Sequence, residues 1–421
     1  MLSANQLDPE QQQAVDAIVH SAGALAITGG PGVGKTTTLA TAIHELELAK
    51  KNFLLLAPTG KAALNITRKT QKPASTIHRL LWTKNADEMF SGVDVVIIDE
   101  ASMVDTEILG QLSTLLLLNS NARLVLVGDH NQLPPVGPGL PFEDILAAGT
   151  IPRVHLKTIH RQKGENWVID NAYRVLDGEM IDLSPCPSFQ FIESTNISRD
   201  VLQFLAMKYG DDVDPSAYQV LSPQRIEQDK WDTGATTQRI NKLVQEGSSS
   251  RGGTYTARWG EVFREGDRVI QTKNNYSAHV VNGQMGEVVF ADSECLTVRF
   301  DEEGTVVTYR DGAGGVNEDG RPTPSPSELD VAYAITVHKS QGSQWREVCL
   351  VADKAHKRML QRRLFYTAIT RCEEKLTIIG SEEAIVYAIK ANTVANRNTL
   401  LAEKLKGEVA LYGTASFQPG T

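Results

Sequence analysis

The first part of the chain contains four short runs in which every residue is apolar, each followed by a polar or glycine-rich turn. The runs are Ala24–Ile27, Phe53–Ala57, Val95–Ile98 and Leu124–Val127. Continuous rather than alternating apolar residues are typical of strands that are buried on both faces. Because stretches of helical pattern separate these runs over residues 20–150, we predict an α/β fold. A doubly wound parallel sheet would bind its ligands at the carboxyl ends of the strands.

A glycine-rich segment, Gly29–Thr36, follows the first predicted strand and precedes a predicted helix at Thr37–Ile43. Glycines allow successive backbone N–H groups to surround a polyphosphate, and the helix N-terminus adds partial positive charge. Lys35 supplies a point charge for the β- and γ-phosphates, and the Thr36 hydroxyl is a ligand for Mg²⁺. The predicted ATP-binding residues of this segment are Gly30, Pro31, Gly32, Val33, Gly34, Lys35, Thr36 and Thr37.

Other polar candidates follow the later strands or precede the first one. Asp99 and Glu100 end the third strand as in a Walker B element. This predicts that Asp99 holds Mg²⁺ through water and that Glu100 orients the attacking water as a base. Gln132, after the fourth strand, is predicted to sense the γ-phosphate. An N-terminal helix is predicted with Asp8 as its N-cap, and Gln11 in that helix is an ATP-binding candidate whose alternative is a solvated position.

Five further segments, together with these motifs, resemble the superfamily 1 helicases, specifically the RecD/Dda-like group of the B branch. They are His160–Gln162, Val220–Arg225, Gly266–Gly286, Ala332–Gly342 and Tyr366–Arg371. The phosphate loop and the Walker B element occur in many NTPases, whereas motif III at Gln132 with the last two segments (motifs V and VI) is specific to this superfamily. The resemblance implies two RecA-like motor domains, with a small SH3-like β insertion in the second.

The same resemblance implies roles for residues far along the chain. Arg161 and Arg371 would act as arginine fingers that reach ATP from a second lobe facing the first. Gly342 would belong to the ATP site. A surface salt bridge is the ordinary role of an exposed arginine, and it stays the alternative for each of the two.

Two features select the B branch, which moves 5′→3′ along single strands. Leu-Pro-Pro follows Gln132, where the branch of opposite polarity usually carries an aromatic residue soon after this glutamine. The insertion between Gly266 and Asp330 is also short, whereas the other branch usually carries a long helical one. The resemblance therefore implies 5′→3′ polarity.

The motif order also predicts the domain organisation. Alternating apolar and polar residues over Gly266–Phe300 predict short antiparallel strands. The expected domains are residues 1–150 as ATP-binding domain 1A with a very short 1B or pin segment near 81–93, residues 151–265 and 332–395 as domain 2A, residues 266–331 as the SH3-like insertion 2B, and residues 396–421 as a C-terminal tail.

The DNA-binding candidates occupy matched positions in the motifs of the two motor domains. Backbone-phosphate contacts from helix N-termini, hydroxyls and cations give affinity without sequence preference, and aromatic rings stack on bases. For Trp82 and Tyr276, packing in a core is the alternative. The candidates are Pro58, Thr59, Lys61, Thr76, His78, Arg79, Trp82, Asn274, Tyr276, His338, Lys339 and Ser340.

Composition limits the partners. The formal net charge of −9 over 421 residues means that any nucleic-acid site must be a local groove. The four cysteines form no CxxC pair, which disfavours a zinc site and fits a reducing, cytoplasmic location. No signal peptide is visible, and no apolar run approaches the length of a membrane span. We expect a monomer that uses ATP and Mg²⁺ and binds single-stranded DNA and single-strand/duplex junctions, with replication or repair proteins as further partners and no membrane.

Three classes of function stay open at this point. The first is an ATP-dependent 5′→3′ DNA helicase, or a translocase that does not unwind, in replication, repair or recombination. The second is an RNA or RNA/DNA motor, because Leu-Pro-Pro loops also resemble the Upf-like branch. The third is an inactive nucleotide-dependent clamp. Intact Lys35, Asp99, Glu100, Arg161 and Arg371 argue against a clamp.

Strand separation is where the chain departs from its apparent relatives. Dda-like helicases carry a β-hairpin, the pin, between the His78 motif and Walker B. Here only Leu81–Val93 fills that position, without an Asn-Gly or Asp-Gly turn, and Asp87–Phe90 predicts a helical turn. We therefore expect a vestigial pin with Trp82 as the one large ring near the fork. Such a motor would walk on single strands better than it splits long duplexes.

Overall fold

The computed structural model describes residues 7–83, 86–119, 122–160, 167–210, 213–227, 234–247, 252–302, 304–311, 324–392, 397 and 399–407. The chain divides into two compact units. The first unit comprises residues 1–58, 62–161 and 394–421, and the second comprises residues 59–61 and 162–393.

The first unit is built on a six-stranded parallel sheet. The strands lie in the order β3-β2-β4-β5-β1-β6, and every pairing is parallel. The four predicted apolar strands are β1, β2, β4 and β5, so the doubly wound sheet is confirmed. In chain order the elements are α1 (Pro9–His20), β1 (Leu25–Gly29), α2 (Lys35–Leu48), β2 (Phe53–Ala57), α3 (Gly60–Thr70), β3 (Ala74–Thr76), α4 (Ile77–Leu81), α5 (Ala86–Met89), β4 (Val95–Ile98), α6 (Thr106–Asn119), β5 (Arg123–Gly128), α7 (Pro141–Ala148) and β6 (Arg153–Leu156).

Successive residues of the central strands enter two different cores. Leu55 and Ile97 pack in one core with α1 and α2, whereas Leu56 and Val96 pack in the other with α6 and α7. Side chains of a strand alternate between the faces of a sheet, so a sheet covered on both faces needs apolar residues at every position. Burying one such leucine or isoleucine stabilises the fold by about 1.5–3 kcal/mol, which explains why the runs are continuous.

The second unit contains a parallel sheet and an antiparallel insertion. The parallel sheet has the order β16-β8-β17-β18-β7, and the antiparallel sheet has the order β14-β13-β12-β11-β15. The elements are α8 (Trp167–Asp177), β7 (Phe189–Glu193), α9 (Ile197–Gly210), β8 (Tyr218–Ser222), α10 (Thr237–Gly247), β9 (Thr254–Thr256), β10 (Val262–Arg264), β11 (Arg268–Gln271), β12 (Met285–Ala291), β13 (Leu296–Phe300), β14 (Val306–Tyr309), β15 (Leu329–Val331), β16 (Ala334–Thr336), β17 (Trp345–Ala352), α11 (Arg362–Ile369), β18 (Cys372–Gly380) and α12 (Glu382–Lys390).

The insertion shares a core with the parallel sheet of its unit. Val220 and Cys349 from the sheet belong to the same buried cluster as Val298 and Phe300 from the insertion. The antiparallel strands predicted over Gly266–Phe300 are confirmed. A shared core holds the insertion firmly on its own unit, because separating the two would expose apolar surface to water.

Two chain segments differ from the domain limits expected above. Strand β6 pairs with β1 and completes the first sheet, so the first unit runs beyond residue 150, to Arg161. The C-terminal segment also returns to the first unit, where its helix α13 (Leu401–Lys406) packs on α7. Leu405 joins the core beneath α6 and α7. Neither long-range contact is encoded in a local pattern.

The pin position contains no strand among the described residues. Between β3 and β4 the chain forms the short helices α4 and α5. The helical turn predicted at Asp87–Phe90 corresponds to α5. The expected absence of a full hairpin therefore agrees with the residues described there, which exclude Lys84 and Asn85.

Candidate nucleotide site and strand-contact residues

The phosphate loop lies between β1 and α2, and its backbone requires glycine at two positions. Gly32 and Gly34 both have a φ of 77°, in the left-handed region that residues with a Cβ rarely adopt. The Lys35 ammonium donates to the carbonyl oxygens of Gly29 and Gly30 at 2.7 and 2.8 Å. The lysine therefore lies across the loop, where phosphate oxygens can replace the two carbonyls as its acceptors.

Gln11 supports the phosphate loop from α1. Its side chain is 4% exposed and donates to the Val33 carbonyl oxygen at 3.2 Å. A Cβ on Gly34 would lie 2.3 Å from the Gln11 amide nitrogen, so the glutamine and the glycine require each other. Gln11 also forms a capping box with Asp8, the predicted N-cap of α1. The solvated alternative for Gln11 is therefore wrong.

His160 ties the end of the first unit to the same loop. Its backbone N–H donates to the Gly32 carbonyl oxygen at 2.9 Å, and its imidazole Nε2 pairs with the Asp8 carboxylate. Burial of Asp8 opposes ionisation, but the backbone N–H of Gln11 and the His160 ring outweigh it and lower the pKa of Asp8. Arg161 lies outside the described residues, so its role as an arginine finger stays a prediction.

Asp99 and Glu100 lie at the carboxyl end of β4. Burial, and then the neighbouring charge of Glu100, raise the pKa of Asp99 to about 6. Asp99 Oδ1 accepts the Glu100 backbone N–H at 2.9 Å. Glu100 has a φ of 54°, an uncommon conformation for a residue with a side chain and one that clusters at functional sites. A cation beside these carboxylates would relieve their repulsion.

Two buried polar atoms close to the ends of β4 and β5 have no hydrogen-bond partner among the described residues. They are the Oε1 of Gln132, which is 6% exposed, and the Oγ of Ser102, which is 7% exposed. Buried polar atoms are nearly always paired, so an orphan of this kind points to a ligand, an ion or water as its partner. Gln132 was predicted here from its motif. Ser102 was not, because a serine after an acidic pair carries no signal of its own.

The residues at this site suit Mg²⁺ that arrives with a nucleotide. The described residues contain no group of three or more His, Cys, Asp or Glu side chains that could hold a metal by themselves. Mg²⁺ at nucleotide sites typically binds one or two protein oxygens, the phosphates and water. The Thr36 hydroxyl in the first turn of α2 and the Asp99 carboxylate are such donors. The raised pKa of Asp99 shows that a cation would stabilise its ionised form.

Arg371 ends motif VI in the second unit and is buried there. It is 4% exposed, and its guanidinium donates to the carbonyl oxygens of Thr367 and Ser343 at 3.1 and 3.2 Å. Gly342, which precedes Ser343, has a left-handed φ of 75°. Motifs V and VI therefore meet at this point of the second unit. An exposed surface salt bridge does not describe Arg371.

The strand candidates on and before α4 are of two kinds. Thr76 is 3% exposed, and its hydroxyl accepts the Arg79 backbone N–H at 3.1 Å as the N-cap of α4. The rings of His78 and Trp82 meet edge to face with centroids 5.3 Å apart. Trp82 is 77% exposed, so core packing is wrong for this ring. The Thr76 side chain is buried and caps the helix, and its predicted contact with a strand stays a prediction.

The remaining candidates before motif V lie at loop positions. Pro58 and Thr59 follow β2 and are partly exposed, and Lys61 lies in the first turn of α3. Asn274 and Tyr276 follow β11. Asn274 is exposed and accepts a backbone N–H of the same loop at 2.9 Å. Tyr276 is 37% exposed, which does not fit core packing.

The three motif V candidates differ in what they leave available to a strand. Ser340 is fully buried, and its hydroxyl donates to the Val337 carbonyl oxygen at 2.7 Å. The predicted strand contact of Ser340 stays a prediction. Burial lowers the pKa of His338, so this partly exposed ring is neutral at pH 7. Lys339 forms an ion pair with Asp330, a partner that its motif does not reveal.

The C-terminal segment contacts the loop after Gln132, which the sequence alone did not indicate. Arg397 donates to the carbonyl oxygens of Gly137 and Gly139 at 2.5 and 3.2 Å. The Thr399 hydroxyl donates to the Asp144 carboxylate at 2.8 Å, and burial raises the pKa of Asp144. No motif marks these residues, because their partners lie more than two hundred positions earlier in the chain.

Three family models match consecutive parts of the chain. A model described as an AAA domain matches residues 6–185. A model of the ATP-dependent RecD-like DNA helicase SH3 domain matches residues 240–300, and one of the UvrD-like helicase C-terminal domain matches residues 331–379. No helix of the described chain is long and apolar enough to cross a membrane.

Two curated relatives match most of the chain at 30% identity or more. The ATP-dependent RecD2 DNA helicase of Deinococcus radiodurans is 36% identical over 387 residues, which is 90% of this chain and 50% of that protein. The chain thus spans half the length of this relative. The RecBCD enzyme subunit RecD of Mycolicibacterium smegmatis is 30% identical over 440 residues, covering 94% of this chain and 75% of that protein.

Solved structures agree in fold. The Pif1 helicase of Candida albicans superposes with a TM-score of 0.58 at 20% identity over 96% of this chain and 98% of that one. Pif1 from Bacteroides in complex with ADP-AlF3 and ssDNA superposes with a TM-score of 0.57 at 21% identity over 88% of this chain and 92% of that one. Two RecA-like lobes, the second with an SH3-like insertion, describe this architecture. The chain therefore belongs to the RecD-like group of the superfamily 1B helicases, a family of ATP-hydrolysing motors.

Proposed function

We propose that this protein is an ATP-driven motor that moves 5′→3′ along single-stranded DNA and separates duplex DNA. The observation that carries the proposal is the grouping of Lys35, Asp99 and Gln132 at the carboxyl ends of β1, β4 and β5. These strands lie side by side in the order β4-β5-β1. The Lys35 ammonium, bonded to backbone carbonyls, suits phosphate oxygens, and the Asp99 carboxylate with its raised pKa suits the accompanying Mg²⁺. The Gln132 Oε1, an acceptor without a described partner, suits the O–H of a water beside the phosphates.

The residues of the first unit would divide the hydrolytic step among them. Lys35 and the N–H groups of the glycine loop would bind the phosphates, and Thr36 and Asp99 would hold Mg²⁺, which supplies charge neutralisation when bound. Glu100 would accept the proton of the attacking water. Gln132 would hydrogen-bond the γ-phosphate and report its loss through the Pro-rich loop that follows it.

Charge at the leaving phosphate would come from two arginines of later motifs. We propose Arg161 and Arg371 as arginine fingers, because a guanidinium can donate to two phosphate oxygens at once. The bonds from Arg371 to Thr367 and Ser343 would then act as its support. Closure of two lobes on ATP and their release after hydrolysis would move two strand-binding surfaces relative to each other.

DNA is proposed as the track from the relatives. The RecD2 and RecD proteins are named for DNA helicase and RecBCD functions, and the Bacteroides Pif1 structure holds ssDNA. In this chain, Arg79, Lys339 and the exposed Trp82 supply the cations and the ring that a single strand needs. We propose a monomeric motor, with strand junctions as its substrate.

The choice of track is tested by ATP hydrolysis in the presence of DNA or RNA homopolymers. We expect stimulation by single-stranded DNA and weaker stimulation by RNA. Binding to single strands should fall steeply with salt, with a log–log slope of about −0.7 for each phosphate contacted. Equal stimulation by RNA would favour the Upf-like alternative, and a flat salt response would remove nucleic acid as the partner.

Polarity is tested with duplexes that carry either a 5′ or a 3′ single-stranded tail. We expect ATP-dependent separation of the 5′-tailed duplex only, and no separation by the Lys35→Ala variant. Unwinding of the 3′-tailed duplex would overturn the polarity. Translocation without separation of either duplex would leave a motor that does not unwind alone, which the short pin segment favours.

A further inference from the structure

The second unit contains a cavity of about 550 Å³ that shares one residue with the predicted strand contacts. It lies between helix α10, the β9–β10 hairpin and the ends of β15 and β16. Its lining includes Arg225, Asn241, Trp259, Asp330 and Lys339. Among these residues, only Lys339 was predicted to bind a strand.

Trp259 stands at this cavity on the turn of the hairpin. It is 48% exposed, and its indole N–H donates to Glu261 Oε2 at 3.1 Å. The turn is closed by a bond from the Gly260 N–H to the Ala257 carbonyl oxygen at 2.8 Å, and Gly260 has a φ of 88°. The indole N–H of Trp259 is thus already paired, and the tight turn keeps about half of the side chain exposed to solvent. The ring is therefore available for stacking on a flat ligand.

The lining of the same cavity includes two cations that pair with one carboxylate. Asp330 pairs with Lys339 and also lies 3.3 Å from the Arg225 guanidinium. The side chains are accessible, with exposed fractions of 63% for Arg225, 32% for Lys339 and 23% for Asp330. Lys339 and Arg225 flank the Asp330 carboxylate and together form an anion-binding site. In the present structure this carboxylate occupies the site. A phosphate can compete for it, since arginine binds phosphate in two-pronged geometry.

An acidic group lies beside the ring in this cavity. Glu261 accepts the Trp259 indole N–H, and burial raises the pKa of Glu261 against the opposing influence of Arg225 and Lys339. A phosphate next to Glu261 would meet a carboxylate, whereas a phosphate at Arg225 and Lys339 would meet two cations. A flat base can stack on Trp259. One nucleotide satisfies both requirements, whereas a free anion leaves the ring unused and an apolar ligand leaves the cations unused.

We propose that this cavity binds one nucleotide of the single strand, with its base stacked on Trp259 and its phosphate displacing Asp330 from Arg225 and Lys339. The inference rests on the proposed function, since the ligand is part of the strand on which the motor moves. It would give the second unit its own hold on a base, in addition to phosphate contacts. A motor that steps needs each unit to keep hold of the strand while the other one moves.

The test asks whether removing one base of the strand and removing the Trp259 ring of the protein have the same effect on binding. A labelled oligodeoxythymidylate of about 16 nucleotides is titrated with the full chain by fluorescence anisotropy, and each base in turn is replaced by an abasic site. For the wild type we expect one position, or two adjacent ones, at which the abasic site weakens binding about tenfold. The Trp259→Ala variant should bind the intact strand about tenfold more weakly and lose nothing more at that position.

Matched variants separate stacking from loss of structure. Trp259→Phe keeps a ring and should retain most of the position-dependent loss. Phe290→Ala removes another exposed ring of the same unit, 45% exposed on β12, and should behave as the wild type. An abasic effect of equal size in the wild type and in Trp259→Ala would overturn the pocket. Failure of the wild type to bind any single strand would instead overturn the proposed function.

The carboxylate gives a second, independent measurement. Asp330→Asn removes the anion that competes with phosphate, so we expect single-strand affinity to rise several-fold, most strongly at low salt. Glu374→Gln, which removes a carboxylate that pairs with Arg346 on the surface of the same unit, should change affinity little. A fall in affinity for Asp330→Asn would show that the carboxylate positions the cations instead of competing for them, and would overturn the displacement step.

Discussion

The two parallel sheets of this protein carry helicase motifs at their strand ends, but their polar groups are satisfied in different ways. In the first unit, Gln132 and Ser102 bury atoms without a described partner, and Asp99 has a raised pKa. In the second unit, Arg371 and Ser340 are buried and bonded to the backbone of their own unit. The polar atoms in the first unit are available to bind a ligand. The bonds in the second unit hold the side chains of Arg371 and Ser340 in fixed positions.

The units also differ in where they expose cations and rings. The first unit presents Trp82 beside His78 on the short helix α4. The second unit has Trp259, Arg225 and Lys339 in the lining of one cavity. We infer that ATP chemistry is concentrated in the first unit, while both units carry a separate hold on the strand. The following predictions test this division, beginning with the largest expected effect.

Lys35→Ala should break the nucleotide site without touching strand binding. We expect ATP turnover to fall by about 10³-fold or more, because the lysine is the fixed cation at the phosphates. Single-strand affinity without nucleotide should stay near the wild-type value. Steady-state ATPase and anisotropy measure the two quantities, with Lys72→Ala as a surface control. Loss of both activities in a folded variant would mean that the strand and nucleotide sites are not separate.

Arg371→Ala tests whether the second unit contributes to hydrolysis as well as to support. A finger should cost about 10³-fold in kcat with a smaller change in ATP affinity. A purely structural arginine should lower the thermal midpoint and leave kcat of the folded protein unchanged. Arg371→Lys keeps the positive charge but loses the paired N–H donors. If Arg371 is an arginine finger, this variant should therefore recover little of the lost kcat. Normal kcat in Arg371→Ala would remove this residue from the catalytic set.

Arg397→Ala tests the contact of the C-terminal segment with the first unit. Loss of its bonds to Gly137 and Gly139 should destabilise the protein by about 1.5–3 kcal/mol, the usual range for hydrogen bonds to a charged group. Denaturant unfolding measures this difference, with the exposed Arg358→Ala as control. An unchanged midpoint would show that α13 and the Thr399–Asp144 bond hold the segment without Arg397.

Asp99 makes the stability of the nucleotide-free protein depend on pH. Its pKa in the folded protein is about 6, raised above the ordinary value of 3.8 for an aspartate. The stabilisation from protonation is therefore complete below the unfolded value and is lost as the pH rises through about 6. Between pH 5 and pH 8 this loss should be on the order of 1 kcal/mol.

The Asp99→Asn variant isolates that contribution. Its unfolding free energy should change less between pH 5 and pH 8 than that of the wild type, although its ATPase should be lost. Other carboxylates titrate equally in both proteins, so the difference between the two pH profiles is the quantity to measure. Parallel profiles would show that the burial of Asp99 and its repulsion by Glu100 do not lower the unfolding free energy of the nucleotide-free protein.

Trp82→Ala should have the smallest effect and the most selective one. The exposed ring lies beside the short pin segment, so we expect duplex unwinding to fall about fivefold, near the lower limit for loss of one base–aromatic stack. Strand-stimulated ATPase should change less. Fast unwinding of long duplexes that is insensitive to this substitution would place the separating element elsewhere, for instance in the insertion between Gly266 and Asp330.

The nucleotide site could be predicted almost entirely from sequence, because its determinants are local. The phosphate loop needs Gly32 and Gly34 for their backbone conformation, and the strand–loop–helix order positions Lys35 without distant help. The buried strands were readable for a similar reason, since a sheet covered on both faces requires apolar residues at successive positions. The capping box of Asp8 and Gln11 spans only one helical turn.

The sequence did not reveal which side chains of the strand motifs are bonded within the fold, because a motif does not show which of its side chains already have a partner. Thr76 and Ser340 lie in the expected segments, yet one caps α4 and the other bonds within its own loop. Their hydroxyls could serve either the fold or a ligand. Only the local backbone path and the burial of each side chain decide between these uses.

What the sequence determined by itself is therefore the nucleotide loop and the order of the elements around it, which follow from local conformation and from the period of apolar residues. The class of motor was indicated by the resemblance of the motifs to a known family. Only the tertiary structure decided that β6 completes the first sheet and that Arg397 reaches Gly137. It also brought Trp259, Arg225 and Lys339 around one cavity. These residues are far apart in the chain, and contacts between distant segments depend on how whole elements pack, which no local pattern encodes.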